Sequence, residues 1–408
     1  MNDGAALAAA PAAATGQRRL LVTLACGAFC STATVRVADP LLPQLAEEFQ
    51  VGPASASVIA TAFALSYGLC QIAYGPLGDR LGKVRVITVT LLLASLAVSL
   101  CAAASSLWML GALRFVAGGL AAAVIPLSFA HIGDAVPYEA RQATLARFLT
   151  GQILGVVFGQ VFGGILGEVL GWREIFLILG GAYLVIGLLL LAQWKAARPL
   201  TAGPHGRNPL AAYATVARTP WARLVTRAVF FEGLLFFGGL AYVGASLRDR
   251  FGLSYVAIGI LLGFFGVGGL VYTLSVRPIL RRLGEKGMAV TGGAGLAVCF
   301  LLIGASPVWW APAPALVGIG FFFYMLHNTL QTHATQMVPS ARGSALAFFA
   351  FFFFIGQSLG VAGCGAAIER IGYLPTFAAV GVGLLLLGAW FRRRLERRST
   401  TGTAALSH

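Results

Sequence analysis

The stretch Gly75-Pro76-Leu77-Gly78-Asp79-Arg80-Leu81-Gly82-Lys83-Val84-Arg85 separates two long apolar runs, Ser55 to Tyr74 before it and Val86 to Ala104 after it. Each run matches the length of about 20 apolar residues that a helix needs to cross a bilayer. The segment between them is charged and glycine-bearing, and too short to be a domain. It is a tight turn between two membrane helices. That reading makes the whole chain a polytopic, all-α membrane protein.

Composition agrees. Of 408 residues, 58% are hydrophobic and 11% are charged, whereas a soluble domain carries about 25% charged residues. At a mean hydropathy of +0.84 there is too little polar surface to cover a soluble globule. The net charge of +15 invites a nucleic-acid reading, but the basic residues sit between apolar runs, as topology determinants do, and form no single patch with interleaved aromatics. The six cysteines, Cys26, Cys30, Cys70, Cys101, Cys299 and Cys364, all lie inside apolar runs without metal or redox spacing and read as small buried hydrophobes. The sequence shows no nucleophile–base set, P-loop or dinucleotide fingerprint. No enzyme activity, cofactor or metal is expected, and nucleic acid is not expected as a partner.

Twelve spans can be counted, near 20–45, 56–76, 84–104, 108–131, 143–167, 174–194, 222–246, 256–277, 287–305, 309–333, 344–368 and 373–391. One side of the membrane receives Arg18, Arg19, Arg80, Lys83 and Arg85. It also receives Lys195, Arg198, Arg207, Arg218 and Arg223, then Arg277, Arg281, Arg282 and Lys286, and the Arg392–Arg398 cluster. The other side holds Arg173, Arg248, Arg250 and Arg370. The positive-inside rule then places both termini and the central loop in the cytoplasm. The expected organisation is an irregular tail over 1–19, a six-helix bundle over 20–194 and a central loop over 195–221 marked by Pro199, Pro204, Pro209 and Pro220. A second six-helix bundle follows over 222–391, and a tail over 392–408.

The halves repeat. A shift of 201 residues lays Ala140-Arg141 on Ala341-Arg342, Gly155 on Gly356, Gly159 on Gly360, Gly164 on Gly365, Glu168 on Glu369 and Gly171 on Gly372. Such a repeat implies two bundles of one fold related by an axis along the membrane normal.

Charges inside hydrocarbon are expensive and mark functional candidates. Arg36 and Asp39 lie three residues apart on the first span, near its outer end, where Pro40 disfavours helical geometry at Asp39. A carboxylate there faces the negative end of the helix dipole and needs a partner. The pair fits either a structural closure of the helix end or a contact that changes as a cavity opens. Arg114, in the fourth span, fits a coupling or substrate role beside the plainer one of packing. Glu232, about nine residues into the seventh span, has no basic residue within four positions. It fits proton uptake or selection of a cationic substrate, or a protonated acid bonded to a neighbouring helix. His131, His327 and His333 are expected towards the cytoplasmic ends of the fourth and tenth spans, as interface or pore-lining groups. The run Phe348–Phe354 fits lipid-facing and core packing.

The opening stretch resembles the loop between the second and third helices of the major facilitator superfamily, with a pattern near G-x-L-x-D-R-x-G-[RK]-[RK]; Gly75, Asp79, Arg80, Gly82 and Lys83 match, and the second basic residue comes one place late as Arg85. Leu110-x-x-x-Arg114-x-x-Ala117-Gly118 resembles a second motif of that family, with Ala117 in place of its glutamine. Gly155-x-x-x-Gly159-Gln160-x-x-Gly163-Gly164 resembles the helix-five motif of proton-driven exporters, with Gln160 where the motif has proline; the glycine spacing by itself reads as close helix packing.

The resemblance implies a bilayer protein of the bacterial inner membrane, working by alternating access as a monomer. It implies a proton-coupled antiporter exporting a small organic molecule, with proton-coupled uptake of a small organic anion and a non-transporting receptor or scaffold as alternatives. It also implies a contact between Asp79 and the start of the eleventh helix, near Arg342-Gly343-Ser344, when the cytoplasmic side closes, and a pairing of Arg80 or Lys83 with Asp134.

Overall fold

The computed structural model describes residues 3–194 and 209–404. Every regular element among the described residues is helical. The part of the expected central loop over 195–208, with Pro199 and Pro204, lies outside the described residues.

Eleven helical stretches among the described residues are long and apolar enough to cross a membrane. One of them, Tyr255–Ala305, has 51 residues. At 1.5 Å per residue that is about 76 Å, more than twice the thickness of the hydrocarbon layer. It turns back at Gly284, whose φ of 61° and ψ of 176° suit glycine, and so forms two spans, 255–283 and 285–305. The expected twelve result. In order the others are Gly16–Glu48, Pro53–Leu81, Lys83–Cys101, Leu107–Ala135, one in the helix Tyr138–Val169, Trp172–Ala192, Pro220–Phe251, Pro312–Gln336, Pro339–Ile371 and one in the helix Tyr373–Ala404.

The tail expected to be irregular is helical, as are parts of the central loop and of the C-terminal tail. The first helix begins at Asp3, inside the expected tail; its alanine-rich sequence has the highest intrinsic helix propensity. A short helix, Pro209–Arg218, occupies part of the central loop, with proline at its first position, where a missing N–H is harmless. The last span continues to Ala404 through the arginine cluster; cations are favourable at a helix C-terminus.

The first, fourth and seventh spans are each broken into two helical segments. In the first the break is at Val37, between Asp3–Arg36 and Ala38–Glu48. Pro40 has no N–H to give the Arg36 carbonyl, so the ladder opens there. Asp39 nevertheless stays helical, contrary to the expectation from Pro40, because the chain bends instead of ending. Asp39 thus lies in the first turn of a continuing helix, not at the negative end of a finished one. It lies in the outer third of the span, about 12 Å of helix short of Glu47. In the fourth span the break falls at Ala122–Ala123, where Pro126 leaves the Ala122 carbonyl without its donor.

Within the first half the first span packs on the fifth, the second on the fourth and the third on the sixth. In the second half the seventh packs on the eleventh, and the eighth and ninth on the tenth and twelfth. The halves meet where the fifth span packs on the eighth and the second on the eleventh. These junctions lie towards the end of the molecule opposite the termini. Gly164 approaches Gly259, Val161 meets Gly263, Ser358 donates to the Thr61 carbonyl, and Gly68 packs on Phe354. At the termini end Leu274 of the eighth span is 86% exposed. Apolar side chains cover the outside of the bundles, including Leu96, Val185 and Leu386. Cys26, expected to be buried, is exposed. The charged and amide side chains Arg36, Asp39, Arg114, Gln160, Glu232 and Gln357 are buried. A surface of this kind suits lipid, whose tails are as apolar as the side chains that face them.

Candidate functional site

The break in the first span presents Arg36 and Asp39 to the second half of the molecule. Arg36 Nη1 lies 3.4 Å from Asp39 Oδ2, and Nη2 donates to Gln357 Oε1 of the eleventh span at 3.4 Å. The guanidinium also lies over the Phe237 ring of the seventh span, 4.2 Å from its centroid, a cation–π contact worth about 2 kcal/mol when desolvated. Gln160, fully buried on the fifth span, neighbours Asp39. Its side-chain amide is within hydrogen-bonding reach of the Asp39 carboxylate. Arg36 therefore joins an acid of its own bundle to an amide and a ring of the other. Gln357 carried no signal in the sequence: a lone glutamine among glycines and phenylalanines has no spacing to a partner 321 residues away.

Glu232 is completely buried, and its Oε2 lies 2.9 Å from His327 Nδ1 of the tenth span. Its other oxygen, Oε1, has no hydrogen-bond partner among the described residues. His327 lies in the half of its span towards Gln336, as expected, about 13 Å of helix inside that end. Phe323 stacks on the imidazole at 5.1 Å and 19°, with Phe353 and Phe349 beside it. The phenylalanine run thus has a face towards the site as well as towards lipid. Phe237 contacts both Phe323 and Phe353, so the ring under Arg36 packs on the two rings that flank His327. An acid and an imidazole at hydrogen-bond distance in an apolar box can hold one proton between them and release it when the box opens.

Arg114 makes no hydrogen bond to this group, although it lies within electrostatic reach of Asp39. It is fully buried inside the first bundle. Its Nε donates to the Ile59 carbonyl at 3.2 Å and its Nη1 to the Thr34 carbonyl at 3.0 Å. The guanidinium lies 4.1 Å from the Phe63 centroid. Arg114 ties the fourth span to the backbones of the first and second, and its Nη2 is without a hydrogen-bond partner among the described residues.

At the termini end, Gly82 turns the chain between the second and third spans with φ of 92°. Lys83 pairs with Asp134 of the fourth span and, at 3.2 Å, with Asp79. Arg80 is exposed and Gly75 half-buried. The Asp79 side chain is 67% exposed and bonds here to Lys83, in a structure whose bundles meet at the opposite end.

The helix-five glycines are packing points. A Cβ on Gly155 would run into Thr32 Oγ1 and the Phe29 carbonyl, and one on Gly159 into the Ala33 backbone. Gly163 faces Pro40 and Val37, and Gly164 faces the Gly259 backbone. Gly155→Ala is expected to destabilise by about 1–3 kcal/mol, the range for overpacking against structure that cannot yield. Thermal unfolding of the purified protein checks this, with Gly133→Ala as the neutral control, because nothing lies within 4 Å of a Cβ there.

The description of the Major Facilitator Superfamily matches residues 24–361. YceJ of Bacillus subtilis (strain 168), an uncharacterised MFS-type transporter, is 26% identical over 361 residues, covering 84% of this chain and 88% of that one. The class C tetracycline resistance protein of Escherichia coli is 29% identical over 292 residues, covering 68% of this chain and 72% of that one. A bacterial homolog of the human lysosomal transporter Spinster, solved inward-facing and occupied, has the same fold. Its TM-score is 0.75 at 16% identity, covering 93% of this chain and 97% of that one. With the family match over residues 24–361 extending into both bundles, the chain belongs to the Major Facilitator Superfamily and is a multi-pass membrane transporter, not an enzyme.

Proposed function

We propose that this transporter works by alternating access and exports a small organic molecule in exchange for protons across the bacterial inner membrane, with both termini cytoplasmic. The observation that carries the reading is the Glu232–His327 pair. A carboxylate held at 0% exposure against an imidazole in mid-span has little structural reason to be ionisable, since an apolar pair of the same volume packs as well or better. Proton exchange is a reason to keep it. The Arg36 group supports the second half of the reading. Its partners come from both bundles, so relative movement of the bundles changes its contacts. With the termini cytoplasmic, the present arrangement is the one open to the cytoplasm. The similarity to a tetracycline resistance protein supports the outward direction and makes tetracycline the first compound to try. Compounds that raise the unfolding temperature of the purified protein are the other candidates, since binding stabilises by mass action. In proteoliposomes, an imposed pH gradient is expected to drive such a compound against the proton flow. Movement with the protons would replace antiport by symport, and binding without flux would remove the transport reading.

A further inference from the structure

The repeat has a structural counterpart at the end where the bundles meet. Gly164-Ile165-Leu166-Gly167-Glu168 closes the fifth span, and Gly365-Ala366-Ala367-Ile368-Glu369 closes the eleventh. Both read G-x-x-x-E, and they are the same positions of the two halves. Each addresses the other bundle. Gly164 comes within 2.7 Å (Cβ position) of Gly259 Cα, and four residues on, Glu168 Oε2 accepts from the Val256 N–H at 2.8 Å. Gly365 comes within 2.8 Å (Cβ position) of Ala54 Cα, and four residues on, Glu369 Oε1 accepts from the Ala54 N–H at 3.2 Å.

Val256 and Ala54 are 202 residues apart, in the register one residue further that lays Arg80-Leu81-Gly82 on Arg282-Leu283-Gly284, so they are equivalent positions, each in the first turn of a span. The cap residues before them, Ser254 and Gly52, share one backbone conformation, with φ −65°, ψ 156° and φ −69°, ψ 162°. First-turn N–H groups have no partner within their own helix and carry the positive end of its dipole. Each carboxylate supplies that partner from across the boundary between the bundles.

The two contacts differ in one informative respect. Ser254 caps its own helix through its hydroxyl, whereas Gly52 has no side chain to do so. A Cβ on Gly52 would run into Glu369 Oε1, so glycine there leaves the space that the carboxylate fills. Between the two contacts, Glu47 accepts from Arg248 Nε at 3.0 Å and from the Tyr255 hydroxyl at 2.7 Å. Glu47 and Arg248 are also repeat equivalents, one shift of 201 apart, so this pair lies across the axis that relates the halves. Its side chains are 54% and 31% exposed, and an ion pair so placed adds little on its own.

We infer that the two G-x-x-x-E segments form a reciprocal, pseudo-symmetric latch that holds this end of the transporter shut, and that both carboxylates must leave their helix N-termini before it opens. The inference rests on the alternating-access reading. The glycine sets the distance and the glutamate makes the bond, so the latch is broken by removing either the carboxylate or the space it occupies.

Amide hydrogen exchange followed by mass spectrometry tests this on the purified full-length chain, with neither substrate nor gradient. Glu168→Ala and Glu369→Ala are each expected to speed exchange about two- to fivefold, the effect of losing an exposed carboxylate from a helix N-terminus, in peptides from both junctions: 53–61 with 354–369, and 157–168 with 255–266. Glu→Gln variants, which keep a neutral acceptor, should fall between. Gly52→Ala, which alters neither carboxylate, should reproduce Glu369→Ala. Peptides over 86–98, in the core of the first bundle, should not change and so report that the variants are folded. Faster exchange confined to the altered contact, with the other junction unmoved, overturns the latch, as does a Gly52→Ala protein that behaves as the parent. Either result leaves the proton-transport reading standing, because gradient-driven flux tests it separately.

Discussion

Replacing Glu232 with glutamine is expected to abolish substrate accumulation driven by a pH gradient while leaving downhill exchange of the same compound intact. Glutamine keeps the shape of the side chain and an acceptor for His327 Nδ1, 2.9 Å away in the parent, so the aromatic box around the imidazole stays filled. What it cannot do is gain and lose a proton. One pH unit is equivalent to about 1.4 kcal/mol per proton, and a one-for-one exchanger converts it into about tenfold accumulation. The parent should approach that ratio in proteoliposomes, and the variant should show none. Accumulation that survives the substitution would place the proton site elsewhere, with Asp39→Asn as the next variant to measure.

The second large effect is expected at Arg36. Arg36→Ala leaves Asp39, 4% exposed, as a buried charge without its cation, a change that destabilises by about 3–5 kcal/mol. It also removes the contacts with Gln357 and the Phe237 ring. The double variant Arg36→Ala/Asp39→Ala, which leaves no unpaired charge, should recover most of that stability in thermal unfolding. Transport should be lost in both. This separates two roles. If the pair only closes a helix bend, restoring stability restores transport; if Arg36 links the bundles, it does not. A double-mutant cycle on the unfolding data measures the coupling between the two side chains directly.

The overall architecture was legible because it rests on short-range properties. Span length, the charge of the turns and a repeat near 201 residues are all visible along one dimension. Gly82 and Gly284, each at a positive φ, mark equivalent turns of the two halves. The errors at the margins have local causes as well. Alanine-rich and arginine-rich segments were expected to be tails, but their helix propensity and the lack of a stop signal let the helices run on. Pro40 was expected to disturb Asp39, but in a span packed on both sides the chain bends at Val37 and resumes.

The site was legible in part. Arg36, Asp39, Arg114 and Glu232 announce themselves because a buried charge needs a reason. Their partners do not. His327 pairs with Glu232 across 95 residues, and Gln357 with Arg36 across 321. Arg114 and Arg36 look alike in the sequence, each a lone arginine in an apolar span. One bonds to carbonyl oxygens inside its own bundle, and the other crosses to the second bundle.

The sequence by itself determined that the chain crosses a membrane twelve times in two related halves, and which side chains cannot be buried without purpose. Hydrophobic length and periodicity are properties of each helix alone, so no tertiary contact was needed to read them. Only the tertiary structure decided which buried charges meet, which end of the molecule holds the bundles together, and that the repeated glutamates, Glu168 and Glu369, each cap a helix of the other half. Those outcomes depend on how helices rotate and approach one another, and that is set by packing between residues far apart in the chain.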